Sequence, residues 1–461
     1  MNYVDLGLSV LWGTCNIGAY SQQKKGDRYS YGETETKEDY SFKSYKHGRT
    51  ISVEVYDVPP MYQMYASPKM EDYPEYDNIG NILGTSMDVA SLYFGDSVRM
   101  PSKKEIEELL AKCTQQPEEG GVRFISPNGN SIFMPYGDYW SGTLNPYRGS
   151  GYYDIYDTTE HFAYSLKIDP KEAKATSTDN CREEGLLIRP VKKREWLTTG
   201  LMGVVCGDVA GLPYEFKGHR TKDYFFPFLA NDFSDDTILT MAVARWLLGG
   251  ELTAKKLRAL YLEYAKRFIE KNVWGTGFME WVKSGGTLDR TGVRSNGAAM
   301  RAVPIGYASD DINEVRRLAD LSARITHNSD EASRGAQAVA VTTMLAHQHR
   351  SKQEIADCIT NLFGYDLKRT TYEIRKTYQF EIFCDLCVPE SIICFLESDN
   401  YESVIRNAVS LGGDADTMAA IAGGIATAYG MPIPEDMACD CFQLLPADFH
   451  QTLEEFSALL T

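Results

Sequence analysis

Four aspartates stand in two short segments of the same layout. Ser234-Asp235-Asp236-Thr237 and Gly412-Gly413-Asp414-Ala415-Asp416-Thr417 each place two carboxylates and a hydroxyl at the head of an apolar stretch with helical spacing. One acid at a helix start is ordinary: Asp, Ser and Thr accept from free N–H groups, and the helix dipole favours negative charge there. Two acids per start exceed that need. If the two segments met, four anions would repel one another unless a cation neutralised them. No His or Cys lies beside them in sequence, and oxygen-only ligands suit a hard ion such as Mg²⁺, Mn²⁺ or Ca²⁺ better than zinc. Two such ions would balance four carboxylates. Gly412 and Gly413 permit a tight turn and close approach to a ligand. Spacing alone leaves capping and metal binding both open.

Two further segments could serve a ligand. Ser295-Asn296-Gly297-Ala298 is a small, glycine-containing turn entering a helix, where free N–H groups would suit a phosphate; a plain helix start explains it equally. His327, in Thr326-His327-Asn328, reads first as a structural hydrogen-bonder.

The elements that must position these residues are helices. After Arg194 the apolar spacing predicts helices over Thr237–Leu248, Ala254–Lys271, Ile312–Arg324, Ser333–His347, Tyr401–Leu411 and Thr417–Tyr429, joined by short loops holding Gly, Asp and Asn. That is an all-α domain with its chemistry on loops. The first ~190 residues are rich in Tyr, Gly, Asn and Ser, with turn signals such as Pro127-Asn128-Gly129-Asn130. Only Lys103–Cys113, with Ser102 as N-cap, predicts a helix there. The expected boundary falls near Lys193, giving domains 1–193 and 194–461 that abut without a low-complexity linker.

The formal net charge of −17 over 461 residues argues against nucleic acid and anionic membrane surfaces as partners. The longest basic cluster is only Lys192–Arg194. No apolar run reaches the ~18–20 residues of a membrane helix, and no basic-then-apolar leader opens the chain, so a cytoplasmic setting is expected. The ten cysteines are scattered and read as reduced thiols; a zinc site from Cys384, Cys387, Cys439 and Cys441 is the lesser alternative.

Taken in order, the motifs of the second half resemble the ADP-ribosylglycohydrolase family. Gly203, Gly207, Asp208, Gly211 and Glu215 look like its G-x-x-x-G-D-x-x-G-x-x-x-E; Ser234–Thr237 like its [ST]-D-D-T; Asn296–Arg301 like its N-G-[AG]-[AG]-M-R; Thr326-His327 like its T-H; and Gly412–Thr417 like its G-G-D-x-D-T. The resemblance implies an all-α bundle around two Mg²⁺ or Mn²⁺ ions held by Ser234, Asp235, Asp236, Asp414, Asp416 and Thr417. It implies hydrolysis at the anomeric carbon of ADP-ribose, from ADP-ribosylated protein side chains or small conjugates linked through arginine, serine or acetyl. Asp235 or Asp236 would accept a proton from water, and Glu215 would gate the site or contact substrate. Asn296 and Gly297 would meet the diphosphate, with His327, Gly412 and Gly413 beside the substrate. Ser295 stands where many members have Gly, which would stiffen that turn. A non-hydrolytic ADP-ribose or nucleotide sensor on the same scaffold is the alternative reading.

The first half resembles a module common in Bacteroidetes, the Fibrobacter succinogenes major paralogous domain, through Tyr3–Trp12, Tyr31–Thr34, Arg99–Ser102, Pro127–Ile132 and Ile188–Val191. The resemblance implies a C-type-lectin-like α+β fold that displays loops for binding, with Tyr147 to Tyr156 as a recognition surface and no partner specified. The fold class expected is therefore multidomain: an α+β C-type-lectin-like module followed by an all-α ADP-ribosylglycohydrolase-like bundle.

Overall fold

The computed structural model describes residues 2–55, 69–145, 161–194, 199–224, 226 and 229–460. The chain divides into two compact units, Met1–Arg194 and Glu195–Thr461, each considered by itself below. Tyr147 to Tyr156 lie outside the described residues.

The first unit is β-rich. Strands β1 (Tyr3–Val4), β2 (Leu11–Gly13), β5 (Val98–Arg99) and β12 (Val191–Lys192) form one sheet in the order β1-β2-β12-β5, so the first and last strands of the unit share it. Val191 stands opposite both Trp12 and Arg99. The buried Arg189 guanidinium ties the same two ends by donating to Asn16 Oδ1 and to the carbonyls of Gly13 and Thr14. Strands β3 (Gly48–Val55) and β4 (Lys69–Tyr76) make a hairpin. Strands β6 (Thr114–Glu118), β7 (Gly121–Ile125) and β8 (Ser131–Pro135) make a meander, and β9 (Gly137–Asn145), β10 (Phe162–Asp169) and β11 (Lys174–Cys181) a third antiparallel set. Two helices break the pattern: α1 (Val89–Phe94), which sequence periodicity does not reveal, and α2 (Lys103–Lys112). Ser102 caps α2 through a reciprocal capping box with Glu105, and the Glu105 carboxylate also pairs with the buried Arg99 at 2.6 Å.

The second unit is all-helical: α3 (Gly200–Gly211), α4 (Asp235–Leu248), α5 (Ala254–Arg267), α6 (Thr276–Lys283), α7 (Ile312–Arg324), α8 (Asp330–His347), α9 (Lys352–Phe363), α10 (Thr371–Thr377), α11 (Cys384–Leu396), α12 (Tyr401–Val409), α13 (Ala415–Ala428), α14 (Glu435–Leu444) and α15 (Ala447–Ala458). Helices α3 and α13 form its centre; every residue of both is buried. They approach closely because Gly203, Gly207 and Gly211, one per turn of α3, face the backbone of α13. A Cβ at Gly207 would lie 2.2 Å from the carbonyl oxygen of Ala419, and one at Gly211 2.3 Å from that of Ala415. The glycines that spell the family-like motif are thus a packing seam. Helix α8 starts earlier than the spacing predicts, because Ser329 caps it through Ala332 N; α5 ends sooner, at Arg267.

All ten cysteines are free thiols. Among the described residues the only grouping of three or more metal-ligand side chains is Glu215, Asp414 and Asp416, so the four-cysteine zinc alternative is not formed. No helix among the described residues is long and apolar enough to cross a membrane.

Candidate functional site

Helix α3 and the starts of α4 and α13 bring the acids together. Ser234 caps α4, its hydroxyl accepting from Asp236 N at 3.1 Å. Beneath it lies Asp208, the one acid in an otherwise apolar α3 and fully buried. Asp208 Oδ2 accepts from Ser234 N (2.9 Å), Thr237 N (3.2 Å) and Thr237 Oγ1 (2.5 Å), which fixes the entry of α4 to α3. Thr417, at the start of α13, donates its hydroxyl to Asp236 Oδ2 at 3.2 Å. The two acidic segments therefore touch. Glu215, just after α3, completes the group: carboxylate oxygens of Glu215, Asp414 and Asp416 lie within 4.8 Å of one another.

These carboxyls are held far from their ordinary chemistry. Burial pushes Asp235 up to about 8, with the Asp208 carboxylate adding to the shift. Burial, then the charge of Asp414, pushes Glu215 up to about 7. Asp236 and Asp416 are driven well above the usual carboxylate range by burial and by neighbouring acids. Three oxygens of the group, Asp208 Oδ1, Asp236 Oδ1 and Asp416 Oδ1, are buried with no hydrogen-bond partner among the described residues. A cluster of this kind is costly unless protonated or bound to cations. The all-oxygen donor set, with hydroxyls of Ser234 and Thr417 alongside, fits a hard divalent ion.

A cavity of about 540 Å³ opens onto the cluster. Asn296 and Gly297 stand on its wall, yet Asn296 Nδ2 is committed to Asp414 Oδ2 at 2.7 Å. His327 lies against Gly297, with Cε1 and Nε2 each 3.1 Å from where a Cβ would stand. Its Nδ1 shares a hydrogen bond with Thr326 Oγ1 at 2.8 Å, and burial holds its pKa well below the usual value, so the ring is neutral. Gly412 and Gly413 do not line the cavity. Gly412 adopts a φ of +74°, and Gly413 packs so tightly that a Cβ would sit 2.4 Å from the Tyr378 ring. They shape the turn that aims Asp414.

Several site residues have no role from the sequence. Asp208 stands in the family-like motif of the sequence, but nothing there assigns it the task of fixing the entry of α4. Arg301 is fully buried under the cavity, stacked 4.3 Å over Tyr261 and donating to Thr326 Oγ1 at 2.5 Å, so it backs the Thr326-His327 corner. Phe216 (75% exposed) meets Phe380 at 5.0 Å to form an aromatic lip beside Glu215, and holds a φ of +60° to do so. Arg290 also lines the cavity, its guanidinium lying over Gly277, which stands between the stacked Trp274 and Phe278 in sequence.

An uncharacterized protein of Archaeoglobus fulgidus is 28% identical over 270 residues, covering 51% of this chain and 88% of the relative. Mouse ADP-ribosylhydrolase ARH3 is 26% identical over 298 residues, covering 49% of this chain and 78% of the relative. The ADP-ribosylarginine hydrolase Tri1 of Pseudomonas putida is 22% identical over 303 residues, covering 58% and 80%. A solved structure titled "ADP-ribosylglycohydrolase-related protein complex" aligns with 20% identity and a TM-score of 0.42, covering 54% of this chain and 98% of that one. Residues 190–460, more than half of the chain, match the family described as ADP-ribosylglycohydrolase, and the chain belongs to that family.

Proposed function

We propose that the helical unit hydrolyses the glycosidic bond at the anomeric carbon of ADP-ribose, in ADP-ribosylated proteins or small conjugates, with two Mg²⁺ or Mn²⁺ ions. The observation that carries this is the meeting of the α4 and α13 acids, with Asp236 Oδ1 and Asp416 Oδ1 buried and left without partners among the described residues. Family membership and the names of its relatives ARH3 and Tri1 support the ADP-ribosyl substrate. Asp236, Asp414, Asp416, Ser234 and Thr417 would hold the ions, together with Asp235. Bound there, the ions would hold the ribose 2- and 3-hydroxyls and acidify a water. Asp235, at the rim of the cluster and half-buried, would take the proton from that water, with Asp236 the alternative acceptor. The water oxygen would bond to the anomeric carbon as the bond to the leaving atom breaks. Glu215, half-buried and next to Phe216, would cover the site and touch the substrate. The Asn296–Gly297 turn would meet the diphosphate, and His327 would lie beside the substrate, its neutral ring serving as a hydrogen-bonder rather than a cation.

For the first unit we propose a C-type-lectin-like binding role, residues 1–193 delivering the enzyme, residues 194–461, to its target. Support comes from its β-rich build and from the pairing of its first and last strands.

The test is release of free ADP-ribose from arginine-, serine- and acetyl-linked conjugates, with Mg²⁺ and with EDTA. Metal-dependent release from at least one is expected. No release from any, with ADP-ribose still bound, would point to a sensor instead.

A further inference from the structure

The cavity lining has two chemically unlike parts. The acid cluster and the Phe216–Phe380 lip form one. In the other, the only cation among the lining residues besides the fully buried Arg301 is Arg290. In a chain of net charge −17, several described arginines of this unit meet a carboxylate, as Arg245 meets Glu455, Arg317 meets Glu314 and Arg334 meets Asp385. Arg290 does not. Its Nε donates to the Thr326 carbonyl at 3.0 Å, and among the described residues Nη1 and Nη2 have neither an acceptor nor an ion-pair partner. The neighbouring Asp289 is occupied, its Oδ1 accepting from both N and Oγ1 of Thr291.

The guanidinium is also held in place. It lies so close over Gly277 that a Cβ there would be 2.6 Å from Nη1. The Thr326 carbonyl that fixes Nε belongs to the residue before His327, and His327 packs on Gly297. Arg290 thus stands across the Gly297–His327 wall from the acids. Its fork is aimed by a backbone carbonyl, leaving two N–H-bearing nitrogens for a ligand. A planar fork with free donors matches phosphoryl oxygens.

We infer that Arg290 receives the diphosphate of the substrate and so sets its direction: nucleotide end toward the Trp274–Phe278 wall, leaving group toward the Phe216–Phe380 lip. This rests on the ADP-ribosyl reading above. The acids draw cations and the polyol; among the described lining residues the one solvent-accessible arginine or lysine is the half-buried Arg290, and a ligand anionic at one end and carrying its scissile carbon at the other fits in one direction.

The test uses the full chain and three variants, Arg290→Gln, Arg290→Lys and Gly277→Ala, each first matched to wild type in thermal stability. ADP-ribose affinity is measured by calorimetry, Mn²⁺ affinity by titration, and KM and kcat with the best conjugate. For Arg290→Gln we expect ADP-ribose affinity to fall, and KM to rise, on the order of 10- to 100-fold, the weight of charge-assisted hydrogen bonds to phosphate. kcat should change far less, and Mn²⁺ affinity should hold. Lysine should restore part of the loss, and Gly277→Ala should mimic it in milder form by pushing the guanidinium aside. Wild-type binding of ADP-ribose with Arg290→Gln binding equally well would overturn this inference alone. An equal loss of Mn²⁺ affinity would overturn it too, by showing a structural effect. Wild type that binds no ADP-ribose would overturn the substrate reading and this inference together.

Discussion

Replacing Gly207 with alanine probes how the site is assembled without touching any acid. Gly207 sits in the middle of α3, where alanine is intrinsically the better helix former by about 1 kcal/mol. In isolation the change should therefore stabilise. In the fold, the new Cβ would lie 2.2 Å from the Ala419 carbonyl oxygen, 2.5 Å from its carbon and 2.8 Å from Ala420 Cα. All three are backbone atoms of α13, so no side chain can rotate away, and the helices must part. Overpacking of a tight core costs about 1–3 kcal/mol; with rigid backbone on the far side the upper end applies. Subtracting the propensity gain leaves a net loss of about 2 kcal/mol. At about 2–4 °C per kcal/mol for a unit of this size, the Tm should fall roughly 4–8 °C. Because Asp208 adjoins Gly207 on one helix while Asp414 and Asp416 stand at the head of the other, parting them should also weaken Mn²⁺ binding. Differential scanning calorimetry with and without Mn²⁺ reads both effects. Gly249→Ala is the control: its Cβ would meet nothing nearer than 3.4 Å, at an ordinary negative φ, and stability should stay within about 0.5 kcal/mol. A Gly207→Ala protein as stable as wild type, with unchanged Mn²⁺ affinity, would refute the seam as the device that joins the two acidic segments.

Other outcomes follow from the same geometry. Asp208→Ala would strand three donors, Ser234 N, Thr237 N and Thr237 Oγ1; at about 1–3 kcal/mol for each buried group left unmet, urea unfolding should show a loss of at least about 3 kcal/mol. Asp414→Asn should abolish tight binding of one ion and metal-dependent release, and undiminished activity would contradict its place among the ligands. In metal-free protein, Asp235 and Glu215 keep their protons up to about 8 and 7 when folded, whereas unfolded carboxyls release theirs near pH 4. The folded state binds more protons across that window, so stability should fall as pH rises from about 4 to 8. Mg²⁺, which needs deprotonated ligands, should raise the Tm more at pH 8 than at pH 5; the opposite trend in thermal melts would count against the buried cluster.

Helix starts were the most legible part of the fold, because their signals are local: Ser102 before α2 and Ser234 before α4 both cap as their sequence position suggests. Helices hidden from periodicity have particular causes. Helix α11 carries Pro389 and a nearly continuous apolar surface, and α3 is buried on every side, so neither shows a polar face to mark its phase. Within the site, residue types pointed to the acids, but their convergence depends on the α3–α13 seam and on Asp208, which are tertiary facts. Gly412 and Gly413 illustrate the limit. Their flexibility suggested contact with a ligand, while the fold uses it to pack against Tyr378 and the 218–220 segment. The Phe216–Phe380 lip joins residues from distant loops and has no local signature.

The most direct measurement is a stoichiometric titration of the chelated enzyme with Mn²⁺, following bound metal and ADP-ribose release in the same samples. Release should be absent without metal and should rise to its plateau as the second equivalent binds. Full release from metal-free protein, or two bound equivalents with no release from any conjugate, would contradict a metal-dependent hydrolase built on Asp235, Asp236, Asp414 and Asp416.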